Sequence, residues 1–179
     1  TFFQSATPPQ IQLSAKLAEI TPKGLDHFFF ANSGSEANDT IIRLVRHYWS
    51  ILGQPEKRYF IGREKGYHGS TLGAGSLGGM PAMHAFDHHI LPEFEHIQEP
   101  HWYAHGGELS EDEYGRVAAQ KLEEKILEIG PEKVAAFIGE PIQGAGGVID
   151  PPMSYWGEIQ KICRKYDVLL VADEVICGF

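Results

Sequence analysis

Apolar residues alternate along this chain between helical spacing and short continuous runs, and that alternation predicts the fold class. Leu13, Leu17 and Ile20 recur at helical spacing behind Pro8 and Pro9, and Pro22 and Gly24 close the segment. Asp26 to Ala31 is a short apolar run and reads as a buried strand. From Glu36 to Leu52 the positions Ala37, Ile41, Leu44, Val45, Tyr48 and Leu52 form one helical face, ended by Gly53 and Pro55. Arg58 to Gly62 reads as a second short strand, and the small-residue segment from Ser70 to Gly79 as a closely packed helix. Ser110 caps a helix over 112–128, with Val117, Ala118, Leu122, Ile126 and Ile129 on its apolar side. Val134–Gly139 and Val168–Asp173 are continuous apolar runs, which predict strands buried on both faces. A loop over 140–147 and a helix over 155–166 lie between them. Buried strands alternating with helices imply an α/β fold: a mostly parallel sheet with helices on both faces.

Residues 80–109 break this rhythm. They hold Pro81, Pro92 and Pro100 with His84, His88, His89, His96, His101 and His105, and so long a connection reads as a functional loop or lid. His84 and His88 stand four apart, as in helical zinc pairs, but no H-E-x-x-H and no obvious third ligand accompany them, so no metal site is expected. The net charge is −9, and the seven acids from Glu93 to Glu113 include no Lys or Arg among them, which argues against a nucleic-acid partner. No apolar run is long enough to span a bilayer, and no export signal is visible. Cys163 and Cys177 form neither a disulfide framework nor a metal motif, and both read as core thiols of a cytoplasmic protein. The chain starts at Thr1 without a Met and stops at Phe179 directly after a strand pattern, so we expect a segment of a longer protein, truncated at both ends.

The chemistry concentrates where predicted strands end. Ala31-Asn-Ser-Gly-Ser-Glu-Ala-Asn-Asp39 joins an apolar run to a helix start. The first helical amides have no partner of their own and the helix dipole favours an anion there, so Gly34, Ser33 and Ser35 suit a phosphate. Ser33 and Glu36 equally fit a capping box with no ligand at all. Glu140 and the pair Asp173-Glu174 end two other strands, and ligands of parallel sheets gather at such ends. A carboxylate behind Val168–Ala172 needs a partner. One partner is a protonated ring nitrogen, the arrangement pyridoxal phosphate requires, with Tyr67 as a stacking face and Val175 packing on the other side. A helix cap or a buried salt bridge would also satisfy Asp173.

Four blocks in order carry a family resemblance: Asn32-Ser-Gly-Ser-Glu-Ala-Asn-Asp39, Gly66-Tyr-His-Gly-Ser70, Gly139-Glu-Pro-Ile-Gln-Gly144 and Val171-Ala-Asp-Glu-Val-Ile-Cys-Gly-Phe179. Together they resemble the class III aminotransferases, pyridoxal-phosphate enzymes of fold type I. Within that class they are most similar to the omega-amino acid:pyruvate and putrescine:pyruvate (diamine) transaminases. The resemblance implies that residues 1–179 form part of the cofactor-binding large domain. It implies pyridoxal 5'-phosphate as cofactor, with Gly34 and Ser35 on the phosphate, Tyr67 stacked on the ring with His68 beside it, Asp173 on the pyridine nitrogen, Val175 under the ring and Glu140 on the ring-hydroxyl side. It further implies ping-pong transfer of an amino group from an omega-amino acid, amine or diamine to pyruvate, and a homodimer with sites at the interface. Ala145 stands where some ornithine- and GABA-type members carry a Glu that manages a substrate-binding Arg, which favours the pyruvate-using branch.

One departure is large. The family's Schiff-base lysine lies beyond Phe179, and none of the nine lysines occupies its position. The segment is therefore expected to hold most of the cofactor cradle, to lack the covalent anchor and to be inactive alone. An aminomutase or decarboxylase of the same fold, or a catalytically silent phosphate-binding segment, are the alternative readings.

Overall fold

A computed structural model describes residues 5–87 and 90–178. Two units divide at Asn32 and Ser33. In the first, helix α1 spans Pro8–Ile20, with two prolines in the turn where their missing N–H groups cost nothing. The Thr7 amide donates to Gln10 Oε1 at 3.1 Å across the helix start, and no residue of α1 is buried. The strand expected over 26–31 does not form. A strand exists through its ladder, and no described residue pairs with this run, so Phe29 stays mostly exposed.

The second unit is a four-stranded, all-parallel sheet with strands β1 (Tyr59–Arg63), β2 (Phe94–Ile97), β3 (Val134–Gly139) and β4 (Leu169–Ala172). Their order is β2-β1-β3-β4. Helix α2 (Gly34–Ile51) precedes them, and helices α3 (Leu72–Leu77), α4 (Pro81–Asp87), α5 (Trp102–His105), α6 (Glu111–Ile129) and α7 (Met153–Lys165) run between them. The core lies on both sides of the sheet, as the alternation of elements predicts. On one side Ile42, Val45 and Trp49 of α2 and Leu77 of α3 pack on Phe60, Ala136 and Ile138. On the other, Leu122 and Ile126 of α6 and Tyr155 and Ile159 of α7 pack on Ile61 and Phe137. All six residues of β3 are buried, which is why its sequence carries no alternation.

Four sequence expectations change. The buried side of α2 is Asn38, Ile42, Val45 and Trp49, so the face read from Ala37, Leu44, Tyr48 and Leu52 is displaced, and Leu44, Tyr48 and Leu52 are exposed. The two stripes overlap at Val45, and only contact with the sheet selects between them. The 80–109 connection is structured: it contains α4, β2 and α5, and β2 pairs in parallel with β1 from Phe60↔Phe94 to Arg63↔Ile97. β4 is half-exposed rather than fully buried, because only one of its edges is paired, with β3. Cys163 is buried, and burial pushes its thiol up to about 12, whereas Cys177 is exposed in the turn after β4. His88 lies outside the described residues. His84 and His96 each place Nε2 3.2 Å from a backbone oxygen, of Gly75 and Leu77 respectively. Among the described residues no group of three His, Cys, Asp or Glu is placed to hold a metal, and no helix is long and apolar enough to cross a membrane.

Lys57 anchors the edge of the sheet where β3 and β4 begin. It is 3% exposed, and its Nζ donates to the backbone oxygens of Pro131, Val134, Tyr166 and Asp167 at 2.7–3.4 Å. The same ammonium sits 4.5 Å from the centre of the Trp49 ring.

Candidate active site

The strand order reverses between β1 and β3, since β2 lies to one side of β1 and β3 to the other. In open parallel sheets that reversal opens a crevice at the carboxyl ends of the strands. Here a cavity of about 240 Å³ opens there, lined by Ser33, Gly34, Ser35, Tyr67, His68, Gly69, Glu140, Asp173, Val175 and Ile176. All seven residues proposed from the sequence as cofactor ligands line this one cavity. They arrive from four places: the first turn of α2, the loop after β1, the end of β3 and the end of β4.

The α2 end is built as the sequence suggests. Ser33 is the N-cap and its hydroxyl accepts from the Glu36 amide at 3.2 Å. The amides of Gly34 and Ser35 are the first two of the helix and have no intrahelical acceptor. The Ser35 hydroxyl accepts the Ser70 amide at 3.0 Å, which leaves its own proton free to donate. Capping and anion binding are thus compatible in one turn. Gly34 lies close to Val175: a Cβ there would stand 3.1 Å from Val175 Cγ2, so that exposed side chain would have to give by a few tenths of an ångström. Gly69 is required by both conformation and space: its φ is +129°, and a Cβ would lie 2.7 Å from Ser35 Cα. Gly69→Ala is therefore expected to destabilise the protein by about 1–3 kcal/mol, read as a lower thermal midpoint.

At the opposite end, the Asp173 amide donates to Gly139 O at 3.0 Å, which carries the β3–β4 ladder one step past β4. Asp173 and Glu140 therefore leave the sheet side by side. The Asp173 side chain is 7% exposed, and its Oδ2 lies 2.8 Å from His68 Nδ1. Asn38 Nδ2 donates to the same oxygen at 3.0 Å, and the Val175 amide donates to Oδ1 at 3.3 Å. Burial alone would raise this carboxyl's pKa, but the hydrogen bonds from His68 and Asn38 outweigh it and hold the group below the usual carboxylate value. Glu140 is buried, and its two oxygens accept the amides of Tyr67 at 3.0 Å and Gly144 at 2.9 Å, so it braces the loop that presents the Tyr67 ring. Behind it, buried Arg63 donates through Nη2 to the Glu140 backbone oxygen and lies 5.2 Å over the Trp156 ring. Burial pulls the Arg63 pKa down.

Asn38, Arg63, Gly69 and Ser70 were not singled out from sequence. Asn38 carried a usable signal: it is the one polar member of the series 38, 42, 45, 49 that the sheet buries. Arg63 ends a strand whose other residues are apolar or small, much as Asp173 directly follows one.

Comparison with known proteins bears on this arrangement. The aminotransferase class-III family profile matches residues 2–179. The putrescine–pyruvate aminotransferase of Pseudomonas aeruginosa is 57% identical over 178 residues, which cover 99% of this chain and 39% of that protein. The diaminobutyrate–2-oxoglutarate transaminase of Halomonas elongata is 46% identical over 184 residues, covering 100% and 39%. Among solved structures, an (S)-enantioselective omega-transaminase from Thermomicrobium roseum superposes with a TM-score of 0.96 at 47% identity, over 100% of this chain and 40% of that one. The omega-transaminase of Pseudomonas jessenii in complex with PMP gives 0.96 at 49% identity, over 99% and 40%. The chain thus spans about two fifths of the length of the relatives it matches. A profile matched over residues 2–179, and relatives that align over the whole switch-point crevice, make this chain a member of the class-III aminotransferases.

Proposed function

We propose that the cavity holds pyridoxal 5'-phosphate and that the protein containing this chain moves an amino group from an omega-amino acid, amine or diamine to pyruvate. The observation that carries the reading is polarity. The cavity offers free helix amides and a hydroxyl at one end and a buried carboxylate held ionised at the other. That pairs donors for a dianionic phosphate with an acceptor for a protonated ring nitrogen. Gly34 and Ser35 bind the phosphate. Tyr67 stacks on one face of the ring and Val175 packs on the other. Glu140 holds the Tyr67 loop at the ring-hydroxyl side. Asp173 keeps a proton on the ring nitrogen, and His68 orients Asp173. The bound cofactor supplies an electron sink for the carbon that loses its proton.

Pyruvate as the acceptor is supported by the higher identity to the pyruvate-using relative than to the 2-oxoglutarate-using one, and by Ala145, which is exposed in the turn after Glu140. No lysine lines the cavity among the described residues, and all nine lysines are described. The anchoring and proton-shuttling lysine is assigned to another part of the full protein, which we place in the cytoplasm as a homodimer. The test is to express the full-length protein, supply pyridoxal phosphate, putrescine and pyruvate, and follow alanine. Alanine formation with ping-pong kinetics is expected. Carbon dioxide release or an isomerised amine instead of alanine would replace the reading with a decarboxylase or aminomutase. The 179-residue chain alone is expected to give no turnover, and alanine formed by it would overturn the assignment of the lysine elsewhere.

A further inference from the structure

We propose that Asn38 is a positioning residue that decides which oxygen of Asp173 meets the cofactor's ring nitrogen. The inference rests on the cofactor reading above and deepens it. Asn38 lies on the sheet-facing side of α2, 3% exposed, one turn from the helix start. Its Nδ2 donates to the His68 backbone oxygen at 2.8 Å and to Asp173 Oδ2 at 3.0 Å. An amide nitrogen has two protons, and both are used. The two neighbours are acceptors, so the amide cannot turn its oxygen toward them without repulsion.

The consequence falls on Asp173. Its Oδ2 is bonded to both Asn38 Nδ2 and His68 Nδ1, the latter at 2.8 Å. Its Oδ1 receives only the Val175 amide, at the longer distance of 3.3 Å. A carboxylate oxygen has two lone-pair directions. Those of Oδ2 are taken, and Oδ1 keeps acceptor capacity for a protonated nitrogen in the cavity. With His68 alone on Oδ2, that oxygen would be held by one bond, beside the longer Val175 amide bond on Oδ1. Asn38 adds the second, and through the His68 carbonyl it also fixes the backbone that carries the imidazole. Helix start, β1 loop and β4 end are thus registered to one another by a single side chain.

The alternative is that Asn38 merely ties three segments together, and a cofactor analogue separates the two roles. In the full-length holoenzyme, Asn38→Asp keeps the volume but replaces the donor by a second carboxylate beside Asp173, and Asn38→Leu removes the donors outright. Apparent Kd values are measured by titrating each apoenzyme with pyridoxal phosphate and with its analogue carrying carbon in place of the ring nitrogen. Loss of a hydrogen bond to a charged group predicts a Kd for pyridoxal phosphate raised about ten- to a hundredfold by Asn38→Asp. The analogue has no ring nitrogen to protonate, and its Kd is expected to stay near the parent value. Equal weakening toward both compounds, or no weakening toward either, would overturn the inference. Asp173→Asn serves as the reference. If that variant does not distinguish the two compounds, the failure lies with the cofactor reading; if it does and the Asn38 variants do not, Asn38 is structural. Should either Asn38 variant fail to fold, Asn38→Thr, which keeps one donor, is read on the same scale.

Discussion

Asp173→Asn in the full-length protein is expected to lower kcat about a hundred- to five-thousandfold while leaving the fold intact. The magnitude follows from removing one member of a buried charge pair, about 3–5 kcal/mol, where each 1.36 kcal/mol is tenfold in rate. The isosteric amide is a harsher change than its size suggests. His68 Nδ1 and Asn38 Nδ2 both face Oδ2, so an amide at 173 turns its oxygen to those two donors and its NH2 group toward the cavity. In the proposed site a donor would then face the ring nitrogen where an acceptor is needed, and would favour the unprotonated nitrogen. The proposed phosphate end at Gly34 and Ser35 is untouched, so cofactor content is expected to fall far less than kcat. Loss of cofactor in proportion to activity would instead make Asp173 a binding group only.

The pH dependence of the same carboxylate has a definite sign. Its folded pKa is depressed below that of the unfolded chain. The stability it contributes is therefore fully present above about pH 4, the unfolded carboxylate value, and is lost as pH falls through the lower folded value. Denaturation curves at successive acid pH values check this: the parent should lose stability in that window, and Asp173→Asn should lose less.

Much of the architecture was legible because it is local. Val134–Gly139 is apolar without interruption, since a central parallel strand is covered on both faces, and its bounds match the observed β3. Ser110 caps α6 as expected, through its own hydroxyl. The candidate site was legible for a similar reason: Gly34 and Ser35 open a helix and Glu140 and Asp173 directly follow strands, positions marked by where an apolar run stops. What was not legible depends on distant partners. β2 is four residues long with Glu95 and His96 at its centre, so no run announces it, and it exists through its ladder to β1. The 26–31 run shows the converse, an apolar stretch with no described partner. The buried side of α2 is chosen by the sheet it meets, and Asn38 was missed with it because its bond to Asp173 joins positions 135 residues apart. Cys177 followed an apolar run and lies in an exposed turn, because β4 ends at Ala172.

Lys57→Met is expected to cost about 3 kcal/mol of stability and to lower the thermal midpoint by roughly 10 °C, without changing the cavity. Four backbone oxygens converge on the ammonium, the nearest that of Asp167 at 2.7 Å. Burial pulls this lysine's pKa below its usual value, and the carboxylates of Asp167 and Glu132 pull it back. Methionine approximates the length of the stem but removes the ammonium that sits over the Trp49 ring, so the effect combines stranded acceptors with a lost cation–π contact. Buried carbonyls without a donor cost about 1–3 kcal/mol each, and relaxation of the turns around 131 and 166 would let water recover part of that. Arginine is not a substitute, because a planar fork cannot place its donors on acceptors gathered around one point. The oxygens belong to the first residue of β3, Val134, and to Pro131, Tyr166 and Asp167 shortly before β3 and β4, so Lys57 ties together the starting ends of the two strands whose far ends carry Glu140 and Asp173. A thermal midpoint within 2 °C of the parent, a stability change below about 1 kcal/mol, would mean that water replaces the ammonium at no cost. A lowered midpoint together with an unchanged Kd for pyridoxal phosphate would separate the sheet's anchoring end from its chemical one.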